Sequence, residues 1–304
     1  MTSRRDFLKS TGAVAVSSAL PALTLGHDKL EIHTRPIPGT GEQLPMVGLG
    51  NSRVFQEGNL EATRELIDLF VSYGGSYIDT LGPSRFTVAS VMQAHNLQSQ
   101  LFLGTYLGTV QYDAMVEELE RVRKAQGKEV LDLVLTYDFN EILAEPERYL
   151  RLKETGLTRY LGVARHKPEF HEPMMQLMEK GVVDFVQVNY SLLEPEAGET
   201  VLPMAQEKDV AILVNRAFVN GDYFAVVRDK ELPDWAAGFD CKSWAQFALK
   251  FVLSHPAVTC VLTETANPDH VVDNMGAGMG RLPDEPTRQK TVSYTHLTLP
   301  TITE

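Results

Sequence analysis

Seven sets of polar or aromatic residues stand where short apolar runs end. They are Asp79, Tyr106, Tyr137-Asp138, Arg165-His166, Gln187 to Tyr190, Asn215-Arg216 and Glu264. Asp79 could act as a base or anchor a ligand. His166 could exchange protons near neutral pH, because imidazole titrates there. Arg165 and Arg216 could grip a carboxylate or phosphate through paired hydrogen bonds. The phenols of Tyr106 and Tyr137 are weak acids, with an ordinary pKa of about 10. Asp79, Asp138, His166 and Glu264 have the right types for a metal, but their spacing gives no support, so no metal is expected. Each residue also has a blander role. Asp79 could be satisfied by an arginine or water, the arginines could sit in salt bridges, and a lone exposed histidine is usually inert.

The elements that must position these residues alternate between strand and helix. A hairpin is expected over 31–38 and 43–47. Strands follow at 46–50, 77–80, 101–106, 131–137, 160–164, 185–190, 210–214 and 258–262. Helices are expected at 60–73, 86–95, 112–125, 146–154, 168–180, 200–208, 242–253 and from 268 to 275. Leu60, Leu66, Leu69 and Phe70 show the helical spacing of apolar residues. Eight short apolar strands, each followed by a helix, predict an α/β fold, a parallel (β/α)8 TIM barrel behind an N-terminal hairpin. In such a barrel the strand C-terminal ends converge on one mouth, so the seven sets would share one site. An open doubly wound sheet is the alternative. It would need a third glycine after Gly48-Leu49-Gly50.

The chain has 304 residues, 43% of them apolar, enough for one large core. Its net charge is −12. An acidic surface repels phosphate backbones, so nucleic acid is not an expected partner. The two cysteines, Cys241 and Cys260, read as buried thiols rather than a disulfide. No membrane span is expected in the mature chain.

Both ends stand apart. Ser3-Arg4-Arg5-Asp6-Phe7-Leu8-Lys9, followed by an uncharged run over 13–25, resembles a twin-arginine signal. Residues 1–26 are therefore expected to engage the twin-arginine export machinery, for a periplasmic or extracellular destination. Residues 292–304 resemble an in-frame translation of a sequencing adapter, which would leave 27–291 as the evolved domain.

Within that domain, local matches resemble the aldo/keto reductase superfamily. Pro36-Ile37-Pro38 and Leu44-Pro45-Met46-Val47-Gly48-Leu49-Gly50 are similar to its opening. Asp184-Phe185-Val186-Gln187-Val188-Asn189-Tyr190-Ser191 and Cys260-Val261-Leu262-Thr263-Glu264-Thr265-Ala266-Asn267-Pro268 are similar to later strand ends. The resemblance implies NADP(H)-dependent carbonyl reduction by an Asp, Tyr, Lys and His set. Only Asp79 of that set is kept. Ser84, Tyr106 and Tyr137 stand where the tyrosine, lysine and histidine are expected. The remaining candidate catalytic residues are thus Asp79, Tyr106, Tyr137 and His166. The resemblance also suggests Gln187 and Asn274 as contacts of nicotinamide and adenine. Asn267 stands where a cation often meets the 2′-phosphate. With Arg216 as a phosphate grip, these four form the candidate cofactor set. Thr263 and Glu264 replace a Pro-Gly pair, and a carboxylate there would oppose a phosphate. Export points the same way, because reduced nicotinamide is not regenerated outside the cytoplasm. Lost or altered reductase activity is therefore expected. The alternatives are an exported pseudoenzyme that binds a small polar ligand, a sugar or organic acid, and a barrel repurposed for hydrolase or lyase chemistry.

Overall fold

The computed structural model describes residues 31–108 and 111–298, with side chains described as far as residue 294. The expected signal segment lies outside the described residues.

The hairpin is short. β1 (Thr34–Pro36) pairs antiparallel with β2 (Gln43–Pro45) across a 3-10 turn. Eight strands follow: β3 (Val47–Leu49), β4 (Tyr77–Thr80), β5 (Phe102–Tyr106), β6 (Leu131–Thr136), β7 (Thr158–Ala164), β8 (Phe185–Asn189), β9 (Ala211–Asn215) and β10 (Val258–Thr263). Each pairs parallel with its chain neighbour, and β10 closes onto β3. The closed barrel excludes the open-sheet alternative.

Helices cover the outside. They include α1 (Arg53–Gln56), α2 (Leu60–Ser72), α3 (Ser84–Ala94), α4 (Tyr112–Gln126), α5 (Phe139–Ala144), α6 (Pro146–Glu154), α7 (His171–Glu179), α8 (Val201–Glu207), α9 (Asp222–Val227), α10 (Trp244–Leu253), α11 (Pro268–Ala277) and α12 (Glu285–Thr298). Local chemistry sets several starts. Asn59, Ser243 and Asn267 accept hydrogen bonds from the first-turn amides of α2, α10 and α11. Gly127 ends α4 in the left-handed conformation.

Two apolar layers hold the barrel. The outer one packs strand residues such as Ile78, Val134 and Val186 against helix residues such as Ile67, Leu119 and Leu249. The inner one fills the lumen with Tyr77, Phe102, Leu133, Tyr160, Phe185 and Leu213, and Ile37 and Leu44 of the hairpin belong to it. The lumen is therefore packed, leaving the strand C-terminal ends as the place for a site. Cys241 and Cys260 are buried free thiols.

Four helices depart from expectation. α1, α5 and α9 are short turns in βα connections, too brief for a periodic signal. α12 runs through the boundary expected at residue 291, and Tyr294 meets Trp235 edge-on at 5.9 Å.

Candidate functional site

The mouth of the barrel holds a cleft of about 680 Å³. Asp79, Tyr106 and Gln187 form its floor, and all three are under 7% exposed. Gly50, Asn51, Leu262 and Glu264 line one side, and Tyr137 and His166 also line it. The connection after β9, residues 215–221, completes the lining.

Asp79 sits in the middle of β4. Strand periodicity puts Tyr77 on the same inward face two residues earlier. The Tyr77 hydroxyl donates to Asp79 Oδ1 at 3.1 Å. Gln187 Nε2 on β8 donates to Asp79 Oδ2 at 3.2 Å. The Tyr106 hydroxyl on β5 lies 3.1 Å from that same oxygen and 2.5 Å from Gln187 Oε1. Asn215 Nδ2 reaches Gln187 Oε1 at 3.3 Å. Both faces of the Gln187 amide are thus engaged by the protein itself.

The three hydrogen-bond donors around the Asp79 carboxylate, Tyr77, Tyr106 and Gln187, are all neutral. Burial is the main cause that raises its carboxyl to about 6, and nearby Glu264 pushes the same way. The three hydrogen bonds oppose this rise. A phenol has one proton, so Tyr106 cannot donate to both acceptors at once. When Asp79 is protonated it can donate to Tyr106, which then donates to Gln187, and the conflict disappears.

Tyr106 and Tyr77 move away from the useful range of a proton donor. Burial raises both phenols well above 10, and Asp79 adds to the effect. Tyr137 is pushed up to about 12, again mainly by burial. Its ring stacks on Tyr106 at 4.8 Å. Arg165 lies 5.0 Å over the Tyr137 ring and 4.9 Å over Phe170, and donates to the Tyr137 carbonyl at 2.8 Å. Arg165 is therefore committed to a stack rather than open for a ligand.

The other cation of the mouth is committed as well. Arg216 Nη2 lies 3.4 Å from Glu194 Oε1, while its Nε is buried without a partner. Asn189 Nδ2 holds the same glutamate at 3.0 Å. Arg216, Val219 and Asn220 all adopt positive φ, between 48° and 55°. A branched residue such as Val219 rarely accepts this conformation, so the connection over the mouth stores backbone strain.

His166 is exposed at the rim, and partial burial with Arg216 and Lys167 nearby lowers its pKa. Glu264 reaches the cleft across Gly50. A Cβ on Gly50 would lie 3.0 Å from Glu264 Cγ, so the acidic side chain packs closely over the glycine. Glu264 keeps contact with solvent at the cleft edge, yet enough of it is shielded that burial raises its carboxyl.

Comparison with known proteins fits this architecture. Residues 46–289 match the model of the aldo/keto reductase family. The chain belongs to the aldo/keto reductase family. Residues 1–21 match the twin-arginine translocation signal sequence, which directs export to the periplasm or beyond. Among curated proteins, none matches the chain. Several solved structures share the fold. The holo form of an aldo-keto reductase from Bacillus halodurans superposes with a TM-score of 0.72 at 16% identity, covering 90% of this chain and 98% of that one. An aldo-keto reductase from Klebsiella pneumoniae, solved in complex with NADPH, gives 0.70 at 19%, covering 90% and 97%. A glycerol dehydrogenase from Gluconobacter oxydans gives 0.70 at 18%, covering 89% and 97%.

Within this family fold, the residues singled out in the sequence divide. Asp79, Tyr106, Tyr137, His166, Gln187 and Arg216 all line the mouth. Asn267 caps α11 through the Asp269 amide at 3.0 Å. Asn274 is buried a turn or more further along the same helix. Ser84 turns away from the cleft, accepting from the Leu81 amide and donating to the Leu81 carbonyl. Among the described residues, no group of three or more His, Cys, Asp or Glu could hold a metal. No helix among them is long and apolar enough to cross a membrane. Sequence reasoning missed two members of the site. Tyr77 was detectable from strand periodicity. The Glu194 partner of Arg216 lies in a different loop, and no sequence signal links them.

Proposed function

We propose that this is an exported aldo/keto reductase-family protein that has lost carbonyl reduction and binds a small polar ligand at the barrel mouth. The observation that carries the proposal is the environment of Asp79. Its hydrogen-bond donors are two phenols and an amide, where a proton-relay site would need a cation to pull a phenol toward ambient pH. A general acid works best with a pKa near that of its surroundings. Tyr106 and Tyr137 are both displaced in the opposite direction.

The residues of the mouth also do not fit a nicotinamide dinucleotide. The Klebsiella pneumoniae relatives were solved with NADPH or NADP. In this chain the Gln187 amide is engaged by Tyr106, Asp79 and Asn215. Arg216 is bound to Glu194, and Glu264 brings a carboxylate into the cleft. A phosphate would meet repulsion there rather than a grip.

Calorimetric titration of the purified chain with NADPH and NADH tests the reading, together with aldehyde-dependent consumption of NADPH. No binding at millimolar cofactor and no consumption are expected. Micromolar binding with turnover would overturn the reading.

A further inference from the structure

From the charges and unpartnered atoms of the mouth we infer that its ligand is a polyhydroxylated amine, an amino sugar or a close equivalent. This rests on the reading that the mouth is a ligand site rather than a reductase centre.

Charge comes first. Arg216 and Arg165 are already taken, by Glu194 and by the Tyr137–Phe170 stack. Glu264 lines the cleft and, among the described residues, makes no hydrogen bond or ion pair. Asp79 adds a second carboxyl at the floor. A cleft with an uncommitted carboxylate, whose arginine charges are already matched by an acid or an aromatic stack, favours a cation over an anion. An ammonium group can also give that carboxylate charge-assisted hydrogen bonds.

Two further features make this a built site rather than a chance accumulation of acid. The Glu264 stem packs over Gly50, where a side chain would crowd it. Beside the carboxylates, the lining carries polar atoms that lack partners. Asn215 Oδ1 and Arg216 Nε are buried and have no partner. One is an acceptor and the other a donor, and a ligand hydroxyl offers both complementary roles. Buried polar groups left unpaired are costly, so a ligand that pairs them gains affinity. Leu81, Leu262 and Phe218 add apolar surface for a ring face. The volume falls within the range of about 300–1,000 Å³ typical of small-ligand sites, and a mono- or disaccharide fits that size.

The test is calorimetric titration of the purified chain with three probes of one size: glucosamine, glucose and glucuronate. Glucosamine is expected to bind at least about tenfold more tightly than glucose, and glucuronate not to bind. Glu264→Gln should erase the difference between glucosamine and glucose. Glu264→Lys should bring glucuronate above glucosamine. The side chain is exposed, so both variants should melt like the parent, which a thermal scan confirms. Equal binding of glucose and glucosamine by the parent chain overturns the inference. So does glucosamine preference that survives Glu264→Gln, and so does the absence of binding by all three sugars. None of these results would restore dinucleotide binding, so they leave the loss of reductase function standing. Tight NADPH binding would instead overturn that reading itself.

Discussion

The Tyr106 hydroxyl lies 3.1 Å from Asp79 Oδ2, in the barrel floor, with both side chains almost wholly buried. A neutral phenol beside a buried carboxyl is a stabilising contact that moves no charge. Replacing it with Tyr106→Phe removes one of the three hydrogen bonds that hold down the Asp79 pKa. Asp79 is then expected to titrate above about 6. Gln187 Oε1 keeps only its longer bond from Asn215. The cost in stability should be about 1–3 kcal/mol, the range for a buried polar group deprived of a partner. Carboxyl carbon NMR and denaturant unfolding measure the two effects. An unchanged Asp79 titration would show that Tyr106 does not act on it.

The raised pKa of Asp79 also predicts how stability varies with pH. A carboxyl of the unfolded chain titrates near 3.8, and Asp79 in the fold titrates near 6. The folded state therefore binds the proton more tightly. Its contribution is complete below about pH 4 and is lost as pH rises through 6. The full difference is roughly 3 kcal/mol, at 1.36 kcal/mol for each pH unit between the two values. Asp79→Asn cannot titrate, so its unfolding free energy should lack this fall between pH 4 and 6. Urea unfolding of both proteins across that window decides the matter. Parallel curves would mean that Asp79 titrates normally.

Gly104 faces this carboxyl from β5. A Cβ there would come 2.3 Å from the Tyr77 hydroxyl and 2.7 Å from Asp79 Oδ1. The neighbours are backed by packed lumen residues and have little room to move. Gly104→Ala should therefore destabilise the barrel by about 1–3 kcal/mol, the usual cost of overpacking. In the Tyr77→Phe background the closest clash atom is gone, so the cost of Gly104→Ala should shrink. A double-mutant cycle by denaturant unfolding checks this, and strict additivity would argue against the contact.

How far the site could be read without coordinates follows from the same residues. Most barrel strands are short apolar runs that end in a polar residue or are followed by one, and this signal does not depend on the loops. Asp79, Tyr106, Gln187 and Arg216 could therefore all be placed at the mouth. Their partners could not. Arg216 meets Glu194 across 22 residues and two connections, and nothing in either residue names the other. Arg165 reads as a free guanidinium until Tyr137 and Phe170 are seen on either side of it. Glu264 reads as an obstacle to phosphate. Only its place in the cleft wall, packed over Gly50, shows where the acid lies. α9 escaped notice because six residues give too little periodicity, and tertiary packing rather than propensity holds such a turn.

Tyr106→Lys places an ammonium where the phenol now sits. If the neutral surroundings of Asp79 are what keep its carboxyl near 6, this one change should pull it down to or below the ordinary carboxylate range, because an opposite charge at hydrogen-bond distance favours the ionised form. The same change removes the ring stacked on Tyr137 at 4.8 Å and takes the phenol proton from Gln187 Oε1. The buried ion pair must also be desolvated, and its attraction does not reliably offset that cost. The variant should therefore be less stable than the parent by a few kcal/mol at neutral pH, while its Asp79 titrates lower. Carboxyl carbon NMR of the variant separates the two effects, since a lowered Asp79 pKa would by itself stabilise the fold at neutral pH. An Asp79 that still titrates near 6 beside the new lysine would show that burial, not the lack of a cation, sets its proton affinity.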